Sequence, residues 1–224
     1  MPSPILLWDI DGTLIEHAPA KRDRHAYAVK RVIGEPTTPI PPGIGKTDRQ
    51  IVIEIISAHT EPTVDVVDEV LSHLDDITDD DLTSSPASPL PGIAETLAHM
   101  SALGALNLLL TGNTPRRAEA KVRSAGLVSY FDIPSGFYGR DHETRMDLVS
   151  EAVERLDDEV VARTIIVGDT PLDITAARSG GLKVIAVATG AISESDLARH
   201  EPDGLLPAMD ARAFATLVDR ILSS

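Results

Sequence analysis

The chain has 224 residues, enough for one large domain or a domain carrying an insertion, and a formal net charge of −15. That balance argues against a nucleic-acid partner, which needs basic patches to neutralise phosphates, but leaves a small anionic substrate open because the local field decides there. The absence of cysteine removes disulfides, thiolate catalysis and zinc–thiolate sites, and no stretch reaches the roughly 18 apolar residues of a membrane span, so a soluble cytoplasmic protein is expected.

The first element is "ILLWDIDGTL" (5–14), an apolar run that ends on Asp9 and Asp11 with Gly12 behind them. Side chains two apart in extended chain face the same side, and like charges that close repel unless a cation or a proton relieves them. Roughly 90 residues then separate this run from the next comparable one, against the dozen or so that a crossover between parallel strands requires. Ala26, Val29, Val32 and Ile33, and later Val64, Val67, Val70, Leu71 and Leu74, recur at helical spacing inside that gap. Its flanks, "EHAPAK" (16–21) and "TSSPASPLPG" (83–92), are rich in proline and small residues. The expected organisation is a core of residues 1–15 and 89–224, with a small helical domain of residues 16–88 inserted after the first strand. The acidic run "DDITDDD" (75–81) lacks the central glycine and terminal glutamate of a calcium loop and reads as a solvated surface. "GIGKTDR" (43–49) contains Gly-Lys-Thr, but Ile40 stands where a phosphate-binding P-loop wants glycine and no strand precedes it.

Further aliphatic runs follow: "ALNLLLT" (105–111), "TIIVGD" (164–169) and "KVIAVAT" (183–189), with "FYG" (137–139) near the end of another strand. Their nearly continuous hydrophobicity suits parallel strands covered on both faces. Met146, Val149, Ala152, Val153 and Leu156, then Phe214, Leu217, Val218, Ile221 and Leu222, mark helices between and after them. Alternating strands and helices predict an α/β fold, a doubly wound parallel sheet. Ligands of such sheets bind beyond the carboxyl ends of the strands, and three of the runs end there on Asp9 and Asp11, on Thr111-Gly112-Asn113, and on Gly168-Asp169-Thr170 with Asp173 four residues past Asp169. Asn113 taken by itself reads as a helix N-cap. The seven histidines show no metal-ligand spacing, and no Gly-x-Ser-x-Gly elbow occurs.

"DIDGTL", "LLLTGN" and "VGDTPLD", in this order and spacing, resemble the haloacid dehalogenase-like hydrolase superfamily, and "PLPGIAETLAHM" (89–100) is similar to its re-entry helix. The likeness covers the whole chain and is nearest the phosphoglycolate phosphatase-like branch. It implies a Rossmann-like core with an inserted helical cap, and a phosphatase that forms an aspartyl-phosphate. Asp9 is the implied nucleophile, and Asp11 the acid that protonates the leaving oxygen and then activates water. Mg²⁺ is the implied cofactor, held by the Asp9 carboxylate, the Asp11 carbonyl and Asp169, with Asp173 orienting its shell. Thr111 and the Gly112 and Asn113 amides are the implied phosphoryl ligands. The family also uses a cation between its second and fourth motifs, usually lysine, and no lysine lies between Lys121 and Lys183. Arg145, directly before an apolar helix face, is expected to take that place in preference to Arg140, forking onto oxygens where lysine is a point charge. The 43–49 segment becomes a cap loop whose Lys46 or Arg49 meets the distal anion of a small phosphorylated metabolite. A cap closing over the site disfavours macromolecular substrates, and a monomer or small homo-oligomer is expected. Asp11 favours ester hydrolysis over dehalogenase or phosphonatase chemistry, while a phosphomutase, or a phosphonatase with Lys46 as its Schiff-base lysine, remains an alternative. A phospho-accepting receiver domain is shorter and has no inserted cap.

Overall fold

The computed structural model describes residues 3–16, 23–34 and 43–223. Among these residues six strands form one parallel sheet: β1 Ile5–Trp8, β2 Leu106–Thr111, β3 Phe137–Tyr138, β4 Thr164–Gly168, β5 Lys183–Val187 and β6 Gly204–Leu206, in the order β3-β2-β1-β4-β5-β6. The aliphatic runs are strands, each ending one or two residues before the sequence pattern does, except that β2 reaches Thr111. β6 carries too little apolar sequence to be recognised as a strand.

Alternate residues of each strand enter opposite cores. On one face Leu6, Trp8, Leu109, Ile165 and Val167 pack against α4 (Ile93–Ala102), α5 (Pro115–Ser124) and α10 (Ala211–Leu222). On the other, Leu7, Leu108, Leu110, Ile166 and Val184 pack against α6 (Arg145–Arg155) and α8 (Pro171–Ser179). Helices on both faces explain why these strands are apolar throughout. Two short helices, α7 (Asp158–Val161) and α9 (Glu194–Ala198), lie in the connections. Trp8 is fully buried: its ring stacks on Phe214 at 5.2 Å, and its Nε1 donates to Asn107 Oδ1 at 2.9 Å. Among the described residues no helix is long and apolar enough to cross a membrane.

Between β1 and β2 the chain forms α1 (Arg24–Ile33), α2 (Asp48–Ser57) and α3 (Val64–Ser84), which share an apolar cluster of their own. Val29 of α1, Ile51, Val52, Ile55 and Ile56 of α2, and Val70, Leu71 and Leu74 of α3 meet there. The helical periodicities at 26–33 and 64–74 therefore match α1 and α3. Most of the expected linker 16–21 lies outside the described residues, but Glu16 N donates to Ser88 O and Leu90 N to Leu14 O, so the strands of chain leaving and re-entering the sheet domain run side by side.

The acidic run departs from the expected solvated surface. It lies in the C-terminal half of α3, where Asp75 and Thr78 are buried against α5 and the loop before it. Asp75 accepts from Thr114 Oγ1 and Thr78 Oγ1 accepts from Arg117 Nε at 2.9 Å, while Asp76 and Asp79 both pair with Arg116. A charge run on a helix wets only the face turned to water; the other face here meets the basic side of α5.

Candidate active site

The strand order places β1 between β2 and β4, so the chain leaves β1 toward one side and returns on the other, and the crevice of a doubly wound sheet opens at that reversal. Asp9 stands at its floor. Its N–H continues the ladder to Val167 O at 2.9 Å, and the carboxylate is buried. The chain then turns through Gly12 at φ 84°, a left-handed conformation that glycine adopts without cost. A Cβ at Gly12 would also lie 2.8 Å from the Asp169 carboxyl carbon, so glycine lets the β4 carboxylate approach the β1 loop.

Arg145 is the first residue of α6, whose N-cap Thr144 and Asp147 form a reciprocal capping box. Its buried Nη2 lies 2.7 Å from Asp9 Oδ1 and 2.6 Å from Asp173 Oδ1. Arg140 is turned away: its guanidinium lies 3.5 Å from Asp75 on α3. The cation meeting the Asp9 carboxylate is therefore Arg145. Carboxylate oxygens of Asp9, Asp169 and Asp173 lie within 4.8 Å of one another. Asp173 Oδ2 accepts from Thr170 N and Oγ1, which fixes this side chain as part of the α8 capping box. Thr13 Oγ1 donates to Asp169 Oδ1 at 3.2 Å, and among the described residues Asp169 Oδ2 has no hydrogen-bond partner. Burial, with Asp173 adding to it against the pull of Arg145, raises Asp9 to about 6; burial and the charges of Asp9 and Asp173 raise Asp169 to about 8. The donor set is hard oxygen, crowded and short of positive charge, which fits a divalent cation.

Asp11 lies outside this cluster. Its Oδ2 accepts from Lys121 Nζ at 2.5 Å and Asn113 Nδ2 at 2.8 Å. Burial alone would raise its pKa, but the Lys121 ammonium and the Asn113 amide hold it well below the carboxylate range. Asn113 is not the helix cap; Thr114 caps α5, accepting from Arg117 N, while the Asn113 side chain bridges Asp11, Thr111 Oγ1 and Lys121. Lys121 and Arg117 carry no expectation from the sequence, yet both are buried at the site. Their signal is legible in hindsight: they are four apart on α5, interleaved with buried Ala118 and Val122, on the helix that follows the Thr111 loop.

A cavity of about 290 Å³ opens above these groups. Asp9, Asp11, Thr111 and Arg145 line it on the sheet side; His25, Ile44, Lys46 and Ile51 line it from the helical insert. Lys46 reaches the cavity, with its ammonium 2.6 Å from Glu54. Arg49 does not line it. Position 49 belongs to the first turn of α2, not to a loop, and its guanidinium bonds Asp68 Oδ1 and Arg140 O, both at 2.9 Å.

A doubly wound sheet with a carboxylate on its first strand, a cation and two further acids at the neighbouring strand ends, and a helical insert roofing them defines a class of hydrolase. Residues 4–181 match the haloacid dehalogenase-like hydrolase family. Over 219 residues the chain is 28% identical to a phosphoglycolate phosphatase of Mesorhizobium japonicum, covering 94% of this chain and 93% of that one. A plasmid-encoded phosphoglycolate phosphatase of Cupriavidus necator is 26% identical over 219 residues, 94% of this chain and 92% of its own. A crystal structure of a predicted phosphatase from Clostridium acetobutylicum superposes with a TM-score of 0.71 at 17% identity, covering 99% of each chain. The chain belongs to the haloacid dehalogenase-like hydrolase family, in its phosphoglycolate phosphatase-like branch, and is an enzyme of the phosphatase kind.

Proposed function

We propose that this enzyme hydrolyses a small soluble phosphomonoester with Mg²⁺, through an aspartyl-phosphate on Asp9. The observation that carries the reading is the Asp9 carboxylate at the mouth of β1, 2.7 Å from Arg145 and clustered with Asp169 and Asp173. In the first half-reaction Asp9 attacks phosphorus, and as the bond to the leaving oxygen breaks that oxygen takes a proton through Asp11. Asp11 is ionised at rest and takes that proton up from solvent when the substrate's negative charge enters beside it. In the second, Asp11 takes a proton from water, which attacks phosphorus and breaks the acyl-phosphate bond to release inorganic phosphate. Thr111 Oγ1 and the Gly112 and Asn113 amides hold the phosphoryl oxygens, and Arg145 stabilises their charge. The cation would be held by Asp9, Asp169 and the Asp11 carbonyl, with Asp173 fixed beside them; bound there, it shields the phosphate dianion from the carboxylates. Residues 16–88 act as a cap domain over the core of residues 1–15 and 89–224, and Lys46 offers charge to the far end of the substrate. Phosphoglycolate is the first substrate to try, because two relatives aligned over nearly the whole chain carry that activity in their names.

The test is phosphate release from a panel of phosphorylated metabolites. Turnover is expected with Mg²⁺, lost in excess chelator and regained on adding Mg²⁺. Asp9→Asn is expected to lose at least about 10³-fold, on the scale of nucleophile removal in other hydrolases. Asp9→Asn working near the unaltered rate would sink the reading.

A further inference from the structure

Asp48, the first residue of α2, belongs to the helical insert, yet its partners lie on the loop that follows β2. Its N–H donates to Gly112 O at 2.7 Å, and its Oδ2 accepts from Thr114 N at 3.0 Å. These two bonds bracket Asn113. Because a peptide unit is planar and trans, drawing the Gly112 carbonyl toward Asp48 sends the Asn113 N–H the opposite way, where it meets Thr111 Oγ1 at 3.3 Å.

The fit at this junction is close. A Cβ at Gly112 would lie 2.9 Å from Thr47 Cα, so only glycine lets the insert come down so far. Thr47 Oγ1 lies 3.0 Å from the carbonyls of both His142 and Glu143, in the loop that leads into Arg145. The other Asp48 oxygen pairs with Arg117 and lies 2.9 Å from His25 Nε2. The carboxylate is buried, with Arg117 and His25 overriding the upward push of burial, so it stays ionised and fully engaged.

We infer that Asp48 is a positioning residue: from the insert, it sets the peptide planes of the Thr111–Asn113 loop that receives the phosphoryl group. The inference rests on the proposed reading of that loop. Seating of the insert and readiness of the phosphoryl site are then one event, because the residue that ties the insert down also aims the amide.

The experiment measures binding of inorganic phosphate by calorimetry, with Mg²⁺ present, beside kcat and KM. Removing Asp48 alone strands the buried Arg117 charge, so Arg117→Met serves as the reference. Adding Asp48→Ala to Arg117→Met is expected to weaken phosphate binding about tenfold and to lower kcat, the scale of one buried hydrogen bond lost. Asp48→Asn keeps an oxygen toward Thr114 N and is expected to retain most of the affinity. Equal phosphate affinity and equal kcat in Arg117→Met with and without Asp48 would overturn the inference and leave Asp48 as a charge partner of Arg117 only. An unaltered protein that binds no phosphate would instead overturn the functional reading, and this inference with it.

Discussion

Around Asp9, three buried carboxylates share one guanidinium; around Asp11, two carboxylates, Asp11 and Asp48, face Lys121, Arg117 and His25. Burial pushes Asp9, Asp169, Asp11 and Asp48 up alike, and the sign of the outcome follows from the cations within reach. Asp9 and Asp169 end above the carboxylate range, at about 6 and about 8, whereas Asp11 and Asp48 end well below it. The two neighbourhoods lie in one cavity and differ in what they still need. The first is short of positive charge and fits a divalent cation. The second is already neutralised, and the hydrogen bonds of Asp48 there serve to hold the Thr111–Thr114 loop.

The comparison is broken most severely at Arg145, the one cation of the first neighbourhood among the described residues. Arg145→Ala is expected to lower kcat by at least about 10²-fold, as when one preorganised electrostatic contact is removed. Arg140→Ala, whose side chain faces Asp75, is expected to change kcat by less than about threefold, since its guanidinium lies on α3's side and away from the Asp9 carboxylate. Steady-state kinetics on both variants decide it, and a crippled Arg140 variant beside a normal Arg145 variant would reverse the assignment.

Next in size is Lys121. Lys121→Met keeps the bulk of the side chain and leaves Asp11 with Asn113 as its hydrogen-bond partner and Arg117 as its remaining cation among the described residues. Breaking a buried ion pair costs roughly 3–5 kcal/mol, and with the Asp11 side chain 28% exposed the low end, about 3 kcal/mol, is expected at pH 7. The folded pKa of Asp11 is depressed, so the stabilisation is present above its unfolded value and fades as pH falls through that range. Denaturant unfolding of the variant and its parent should therefore converge in acid. A gap that stays constant down to pH 3 would contradict the pairing.

The smallest effect sharpens the contrast. In metal-free protein the raised Asp9 and Asp169 keep their protons longer folded than unfolded, so these groups favour the folded state fully only below about pH 4. That stability is lost as pH rises toward about 8. Tm of the chelated protein is expected to fall by a few degrees across that window. Mg²⁺ should raise Tm more at pH 8 than at pH 5, since it competes with protons for the same oxygens. A Tm shift by Mg²⁺ that does not depend on pH would place the cation elsewhere.

Strand-end chemistry was legible in the sequence because it is local. An apolar run that stops on Asp9-x-Asp11, or on Gly168-Asp169, announces a buried strand delivering a carboxylate to the edge of a parallel sheet, and the order of the runs identifies the family. Arg145 was legible for the same reason, through its place just before an apolar helix face. The helices at 24–33 and 64–84 showed themselves by periodicity, although the acidic end of the latter hid its buried side. What only the tertiary structure decided is which charges meet across elements. Lys121 and Arg117 sit on an ordinary basic helix until α5 is laid beside Asp11 and Asp48. Arg49 has the composition of a substrate contact, but its position on the first turn of α2 points it to Asp68. Periodicity assigns a side chain to the face of its own helix, whereas pairing depends on the distance between helices far apart in the chain, and at a few ångströms in a buried site that distance fixes both the partner and the charge state.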